Sequence, residues 1–213
     1  MTVRALIFDC DGTLVDSEPL GAAVFAEALA ELGLALTAEA ALARFRGRRL
    51  ATTLAEVGGL LGHALPADFE ARLRDRTALA LRAGLREIAG AAALVRALTL
   101  PFCVASNAPR AKIELNLELT GLRPHFGDRI FSAYEVGSWK PDPGLFLHAA
   151  DALAIPPDAC LVIEDSEAGV VAALAAGMPV LALLPEGDAA WRPRHVPAIR
   201  QLSEVAAYLG SAG

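Results

Sequence analysis

Ile7-Phe8-Asp9-Cys10-Asp11-Gly12-Thr13-Leu14-Val15 is the stretch from which the fold is read. The apolar residues 5–8 have the length and composition of a buried strand, and they deliver two acids one residue apart where the strand signal stops. Gly12 then turns the chain. Two carboxylates pressed together at a strand end repel each other and cost free energy to desolvate, so a cation or a shared proton is the natural means of holding them there. The pattern predicts a metal site that includes Asp9 and Asp11. The plainer alternative is a turn, because Asp and Gly both favour turns for local reasons. Cys10 is open in the same way, as a thiol nucleophile or as a small buried residue; the lack of a histidine nearby in sequence speaks for the second.

Working outward, the composition bounds the answer. A chain of 213 residues, 54% hydrophobic and 21% charged, is long enough for one good core and a small accessory domain. No segment reaches the roughly 18 uninterrupted apolar residues of a membrane span, and residues 1–4 run into the first strand without an apolar leader. No membrane partner and a cytoplasmic location are expected. Cys10, Cys103 and Cys160 are far apart, odd in number and set in apolar runs, which fits neither a disulfide framework nor a zinc cluster. A net charge of −6 argues against nucleic acid as a partner. Residues 17–86 carry nine arginines against eight acids, so all of the net negative charge lies outside that block, where the metal is placed.

In chain order, Ser17-Glu18-Pro19 signals a helix start, and helical spacing of Leu20, Val24, Ala28, Leu29 and Leu32 carries the helix to Gly33. Further helices are expected around 38–45, 50–62 and 66–86, with no strand alternation between them. Residues 17–86 therefore read as an all-helical insertion. Beyond it, strands alternate with helices: helix 91–98, strand 102–105, helix 110–119, strand 130–132, helix 143–153, strand 160–163, a helix ended by Gly177, and strand 179–183. Apolar strands separated by helices of this length form a parallel sheet covered on both faces, with the ligand beyond the carboxyl ends of the strands. The expected architecture is thus a Rossmann-like α/β core of residues 1–16 and 87–213 with an inserted helical domain of residues 17–86.

Each strand end then has a chemistry to consider. Ser106-Asn107, followed by Pro109, can cradle a phosphate at a helix start or simply cap the helix. Lys140 lies in the turn Trp139-Lys140-Pro141-Asp142-Pro143 and is one of only two lysines, with Lys112; it can balance acids and bind a phosphoryl group, or be solvated. Glu164-Asp165-Ser166 offers two more acids, and acids before a helix are also common for dipole reasons.

Taken together, Asp9-x-Asp11-Gly12-Thr13, Ser106-Asn107, Lys140-Pro141 and Glu164-Asp165-Ser166, each after a strand, resemble the four motifs of the haloacid dehalogenase superfamily over nearly the whole chain. The helical insertion after the first motif resembles the cap of the beta-phosphoglucomutase-like and phosphoglycolate-phosphatase-like branch. The runs Arg44-Phe45-Arg46-Gly47, Phe102-Cys103-Val104-Ala105-Ser106-Asn107 and Phe131-Ser132-Ala133-Tyr134 are similar to sugar-phosphate phosphatases of that branch acting on 6-phosphogluconate.

The resemblance implies a phosphatase in which Asp9 attacks phosphorus to form an aspartyl-phosphate and Asp11 moves the proton. It also implies Mg²⁺ held by an Asp9 oxygen, the Asp11 carbonyl and Asp165, with Glu164 acting through a water, and Ser106, Asn107 and Lys140 on the phosphoryl oxygens. The mutases of the branch carry a cap lysine and an early histidine; this insertion has no lysine, and Gly21 stands where that histidine would fall. Transfer to water is therefore expected over the mutase alternative. The complete acid set speaks against a third possibility, a phosphosugar sensor without turnover. Substrate choice falls to the insertion: Arg46 and Arg49 flanking Gly47, with Arg48 between, could clamp a sugar-acid carboxylate, Arg49 foremost, and Glu18 could orient hydroxyls. The partner expected is a small phosphorylated substrate, and the expected state is a monomer.

Overall fold

The structure, a computed structural model, describes residues 2–211. Its centre is β1 (Ala5–Phe8), where every residue is buried because helices cover both faces of the strand. The continuous apolar runs noted in the sequence become β2 (Phe102–Ser106), β3 (Ile130–Ser132), β4 (Cys160–Glu164) and β5 (Val180–Leu183), and a two-residue strand, β6 (Ala198–Ile199), completes the sheet. The order is β3-β2-β1-β4-β5-β6, all parallel. This order reverses beside β1, which opens a crevice at the carboxyl ends of β1, β2 and β4.

Side chains alternate across the sheet, so Leu6 and Phe8 pack on one side and Ala5 and Ile7 on the other. On the first side lie α5 (Ala91–Ala97), α6 (Arg110–Leu119) and α11 (Glu204–Ser211), through Leu94, Ile113, Leu117 and Val205. On the second lie α9 (Gly144–Ala152) and α10 (Glu167–Ala175), through Leu145, Phe146, Val170 and Ala173. Two short helices, α7 (Arg123–Phe126) and α8 (Ala133–Val136), flank β3. Sequence reading gives neither these nor β6, since segments of two to four residues carry no measurable period, and it does not give the eight-residue α11.

Between β1 and β2 come α1 (Glu18–Ala30), α2 (Ala38–Phe45), α3 (Leu50–Leu61) and α4 (Phe69–Gly84). They share an apolar cluster of their own, with Val24, Phe25, Leu29, Val57, Phe69 and Leu73. The helix expected to reach Gly33 stops at Ala30: Gly33 takes a left-handed φ of +85° and the Leu34 amide returns to the Leu29 carbonyl at 3.0 Å, closing the last turn. The chain leaving the sheet and the chain returning to it run side by side, with Val15 bridged to Glu87 and the Asp16 amide on the Arg86 carbonyl at 2.9 Å. Among the described residues no helix is long and apolar enough to cross a membrane.

Candidate active site

Parallel register does the first part of the assembly. Phe8 lies opposite Ile163 on one side and Val104 on the other, so β1, β4 and β2 end together and present Asp9, Glu164-Asp165 and Ser106 at one edge. The loop before α9 adds Lys140, whose Nζ donates to Asp9 Oδ1 at 2.5 Å and to Glu164 Oε1 at 2.7 Å. Asn107 fixes that loop: its Oδ1 accepts from the Lys140 amide at 2.9 Å while its Nδ2 donates to the Lys140 carbonyl at 3.2 Å and to the Gly47 carbonyl at 3.4 Å. Ser106 Oγ accepts from the Ala108 amide at 3.1 Å, which leaves its own hydroxyl proton to be donated.

Asp9, Ser106, Lys140, Glu164 and Asp165 are buried, and the protonation equilibria respond. Burial pushes the Asp9 carboxyl well above the usual carboxylate range, against the pull of Lys140. For Lys140 burial works the other way, but Asp9 and Glu164 together outweigh it and hold the ammonium above its ordinary value. Glu164 is locked by its second oxygen, which accepts from the Asp165 amide, the Ser166 amide and Ser166 Oγ, each at 2.9 Å. That lock needs Gly169 on α10, where a Cβ would fall 1.8 Å from Glu164 Oε1. Asp165 sits against Gly12 in the same way: an added Cβ would lie 2.2 Å from Asp165 Oδ2, and Gly12 also holds φ at +83°.

Asp165 takes a hydrogen bond from Thr13 Oγ1 at 3.1 Å and an ion pair from Arg46 of the inserted helices. Burial, followed by the charge of Glu164, still lifts its carboxyl to about 6. Asp9, Glu164 and Asp165 can each offer an oxygen within 4.8 Å of the others. Three buried carboxylates therefore face two cations, Lys140 and the half-exposed Arg46. Hard oxygen donors with residual negative charge are the donor set a divalent cation such as Mg²⁺ takes. The residues present fit such an ion.

The second acid of the first motif is held apart from this cluster. Asp11 Oδ1 accepts from Ser17 Oγ, from Lys112 Nζ at 2.7 Å and from Asn116 Nδ2 at 2.9 Å. Burial opposes its charge, but Lys112 and the three hydrogen bonds bring the carboxyl below the usual range. Cys10 between the two acids is buried, and desolvation with Asp11 and Asp9 keeps its thiol far above its ordinary pKa, so it is a core residue and not a nucleophile.

A cavity of about 600 Å³ joins these groups to α1, α2 and α4. Of the expected substrate contacts, Ser106, Asn107 and Lys140 line it from the core, and Glu18, Arg46 and Gly47 from the insertion, with Arg48. Gly47 keeps φ at +71° and approaches Ser166 so closely that a Cβ would lie 3.1 Å away. Arg49 is not brought into the cavity: its guanidinium lies 4.0 Å over the Trp139 ring, where cation–π attraction holds it. Burial, then Asp11 and Asp165, raise the Glu18 carboxyl to about 7. A carboxyl raised above its ordinary value costs the fold nothing below that ordinary value, an increasing amount as pH climbs from it to the raised value, and the full amount above. Glu18→Gln is therefore expected to raise Tm by about 2–4 °C at pH 8 and to leave it unchanged at pH 4.5, as thermal scans at the two pH values would read.

Thr13, Ser17, Lys112 and Asn116 contact the acids, a role that sequence reading gives to none of them. A usable signal existed for one of them: the chain has two lysines, and each pairs with one acid of the first motif.

Residues 3–177 match the family description haloacid dehalogenase-like hydrolase. The chain is 36% identical over 179 residues to the 6-phosphogluconate phosphatase of Escherichia coli, spanning 84% of this chain and 81% of that protein. It is 33% identical to the fructose-1-phosphate phosphatase YqaB of the same organism, across 81% and 92% of the two chains. Among solved structures, a HAD family hydrolase from Deinococcus radiodurans with bound phosphate and sodium superimposes with a TM-score of 0.79 at 35% identity, over 99% of this chain and 96% of that one.

Proposed function

The chain belongs to the haloacid dehalogenase-like hydrolase family and is a phosphoric monoester hydrolase; from that premise we propose that it hydrolyses a small phosphorylated sugar or sugar acid through an aspartyl-phosphate on Asp9. The observation that carries the reading is the buried Asp9–Lys140–Glu164 constellation at the foot of the cavity. Lys140 holds Asp9 Oδ1, which leaves Oδ2 to attack phosphorus in line. Ser106 and Lys140, with Asn107 ordering the loop between them, stabilise the equatorial phosphoryl oxygens. Asp11 gives its proton to the departing sugar oxygen and then takes one from the water that cleaves the aspartyl-phosphate. A divalent cation such as Mg²⁺, held by Asp9, Asp165 and Glu164 with the Asp11 carbonyl, would neutralise phosphoryl charge.

Substrate choice belongs to the inserted helices of residues 17–86, which act as a cap over the core formed by the remainder. They bring Arg46, Arg48, Arg74 and Arg82 to the cavity against Glu18 and Asp75. Arg48 is paired with Glu56 and Arg74 with Glu70, whereas Arg82 has no ion-pair partner among the described residues. A cavity of this size and this cationic wall suit a six-carbon sugar acid, and the similarity to a 6-phosphogluconate phosphatase supports that class. The test is inorganic phosphate release from a panel of sugar phosphates and phosphorylated sugar acids, with Mg²⁺ and with EDTA. Release that needs Mg²⁺ and is fastest with 6-phosphogluconate is the expected result. Interconversion of sugar phosphates without net phosphate release would replace the phosphatase with a mutase.

A further inference from the structure

Asp11 carries a feature that a proton-transferring acid does not require for its charge alone. Three donors, Lys112 Nζ, Asn116 Nδ2 and Ser17 Oγ, converge on one of its oxygens, Oδ1. A carboxylate offers acceptor sites on both oxygens, yet all three donors go to the same one. Lys112 and Asn116 are one turn apart on α6, and their neighbours Ile113 and Leu117 are fully buried in the sheet, so the helix cannot turn to place them elsewhere. Asn116 is itself fully buried, and its Oδ1 has no hydrogen-bond partner among the described residues. A buried acceptor without a partner costs free energy, and an apolar residue of the same shape would avoid that cost. The side chain therefore earns its place through its Nδ2 donation to Asp11.

From this we infer that Lys112 and Asn116 are positioning residues which, with Ser17, saturate Asp11 Oδ1 so that the proton moves on Oδ2 alone. The inference rests on the reading of Asp11 as the proton carrier. In the first half-reaction Asp11 carries on Oδ2 the proton left by the water of the preceding turnover and gives it up: the sugar O–P bond and the Oδ2–H bond break as the O–H bond of the departing alcohol and the Asp9–phosphorus bond form. In the second, a water O–H bond breaks as Oδ2–H re-forms, and the water oxygen bonds to phosphorus as the Asp9–phosphorus bond breaks. Both halves use one oxygen held at one angle. With Oδ1 released, the carboxylate can rotate and the reactive oxygen is no longer fixed.

The experiment compares 6-phosphogluconate, whose alkoxide leaving group needs a proton, with p-nitrophenyl phosphate, whose phenolate does not. It uses the full chain with Mg²⁺ and the variants Lys112→Met, Lys112→Arg and Asn116→Leu. With 6-phosphogluconate, Lys112→Met and Asn116→Leu are expected to lower kcat by about 100-fold with KM within about twofold, and Lys112→Arg to restore most of the loss. With p-nitrophenyl phosphate both deficient variants are expected to release one equivalent of p-nitrophenolate in a burst and then turn over slowly, because Asp9 is phosphorylated without help but water attack still needs Oδ2. Asn116→Leu should show this defect with a Tm at or above that of the unsubstituted protein, which a merely structural role would not produce. Equal losses on both substrates without a burst, or a change confined to KM, would overturn the inference while leaving the phosphatase reading intact. Turnover of p-nitrophenyl phosphate by Asp9→Asn would instead overturn that reading and the inference with it.

Discussion

Asp9→Asn is expected to remove turnover by a factor of about 10⁴ or more while leaving the fold in place. The amide keeps the shape of the carboxylate but cannot attack phosphorus, and no other nucleophile is poised: Cys10 is buried with its thiol held protonated, and Ser106 Oγ already accepts from the Ala108 amide. The substitution also removes a charge from a site where burial already disfavours it, so the Tm is expected to hold or rise. Binding of a phosphorylated ligand, followed by calorimetry, should persist through Lys140, Ser106 and the loop that Asn107 orders. Loss of binding together with turnover would assign Asp9 to the ligand cradle and not to the attack.

Lys140→Met is expected to fail twice, in turnover and in stability. Its ammonium is the buried counter-charge to both Asp9 and Glu164, and removing one member of a buried ion pair costs about 3–5 kcal/mol. For a chain of this size that corresponds to a fall in Tm of roughly 10 °C. The pH dependence carries a sign. Because Lys140 is held above its ordinary value, its stabilisation is complete at neutral pH and disappears only as pH rises through that raised value. In the variant, Asp9 can take up a proton in place of the missing ammonium as pH falls toward 5, since burial already favours its neutral form. The Tm deficit should therefore be widest at pH 8 and narrow on acidification. A deficit independent of pH would mean that Lys140 acts through packing, for instance on the Phe146 ring 4.7 Å away.

The parts of this site that could be read from sequence are those where neighbours in the chain stay neighbours in space. Asp9 and Asp11 follow directly on an apolar run, Glu164 and Asp165 follow another, and parallel register brings the ends of β1 and β4 together. The proline-flanked turn leaves Lys140 open, as a solvated lysine or a phosphoryl ligand, and only the resemblance to the four motifs assigns it to the site. The partners of Asp11 were not legible, because Lys112 and Asn116 are about a hundred residues away in sequence and sit on a helix whose polar positions look like ordinary solvent-facing ones. The loop around Gly47 shows the same limit. Three arginines around Gly47 read alike in sequence, yet tertiary contacts send Arg46 to Asp165, Arg48 to Glu56 and Arg49 onto Trp139. The parallel α/β sheet was legible from the alternation of apolar strands and helices; β6 and α11 were not, since each depends on packing against the finished sheet edge.

The most direct test of the central claim is to mix the protein with 6-phosphogluconate and Mg²⁺, quench in acid within a turnover, and map the phosphoryl group by peptide mass spectrometry. A phosphoryl group on the peptide that contains Asp9, absent from the Asp9→Asn variant, is the expected result. Steady phosphate release with no phosphorylated peptide, or with the group on any other residue, would contradict it.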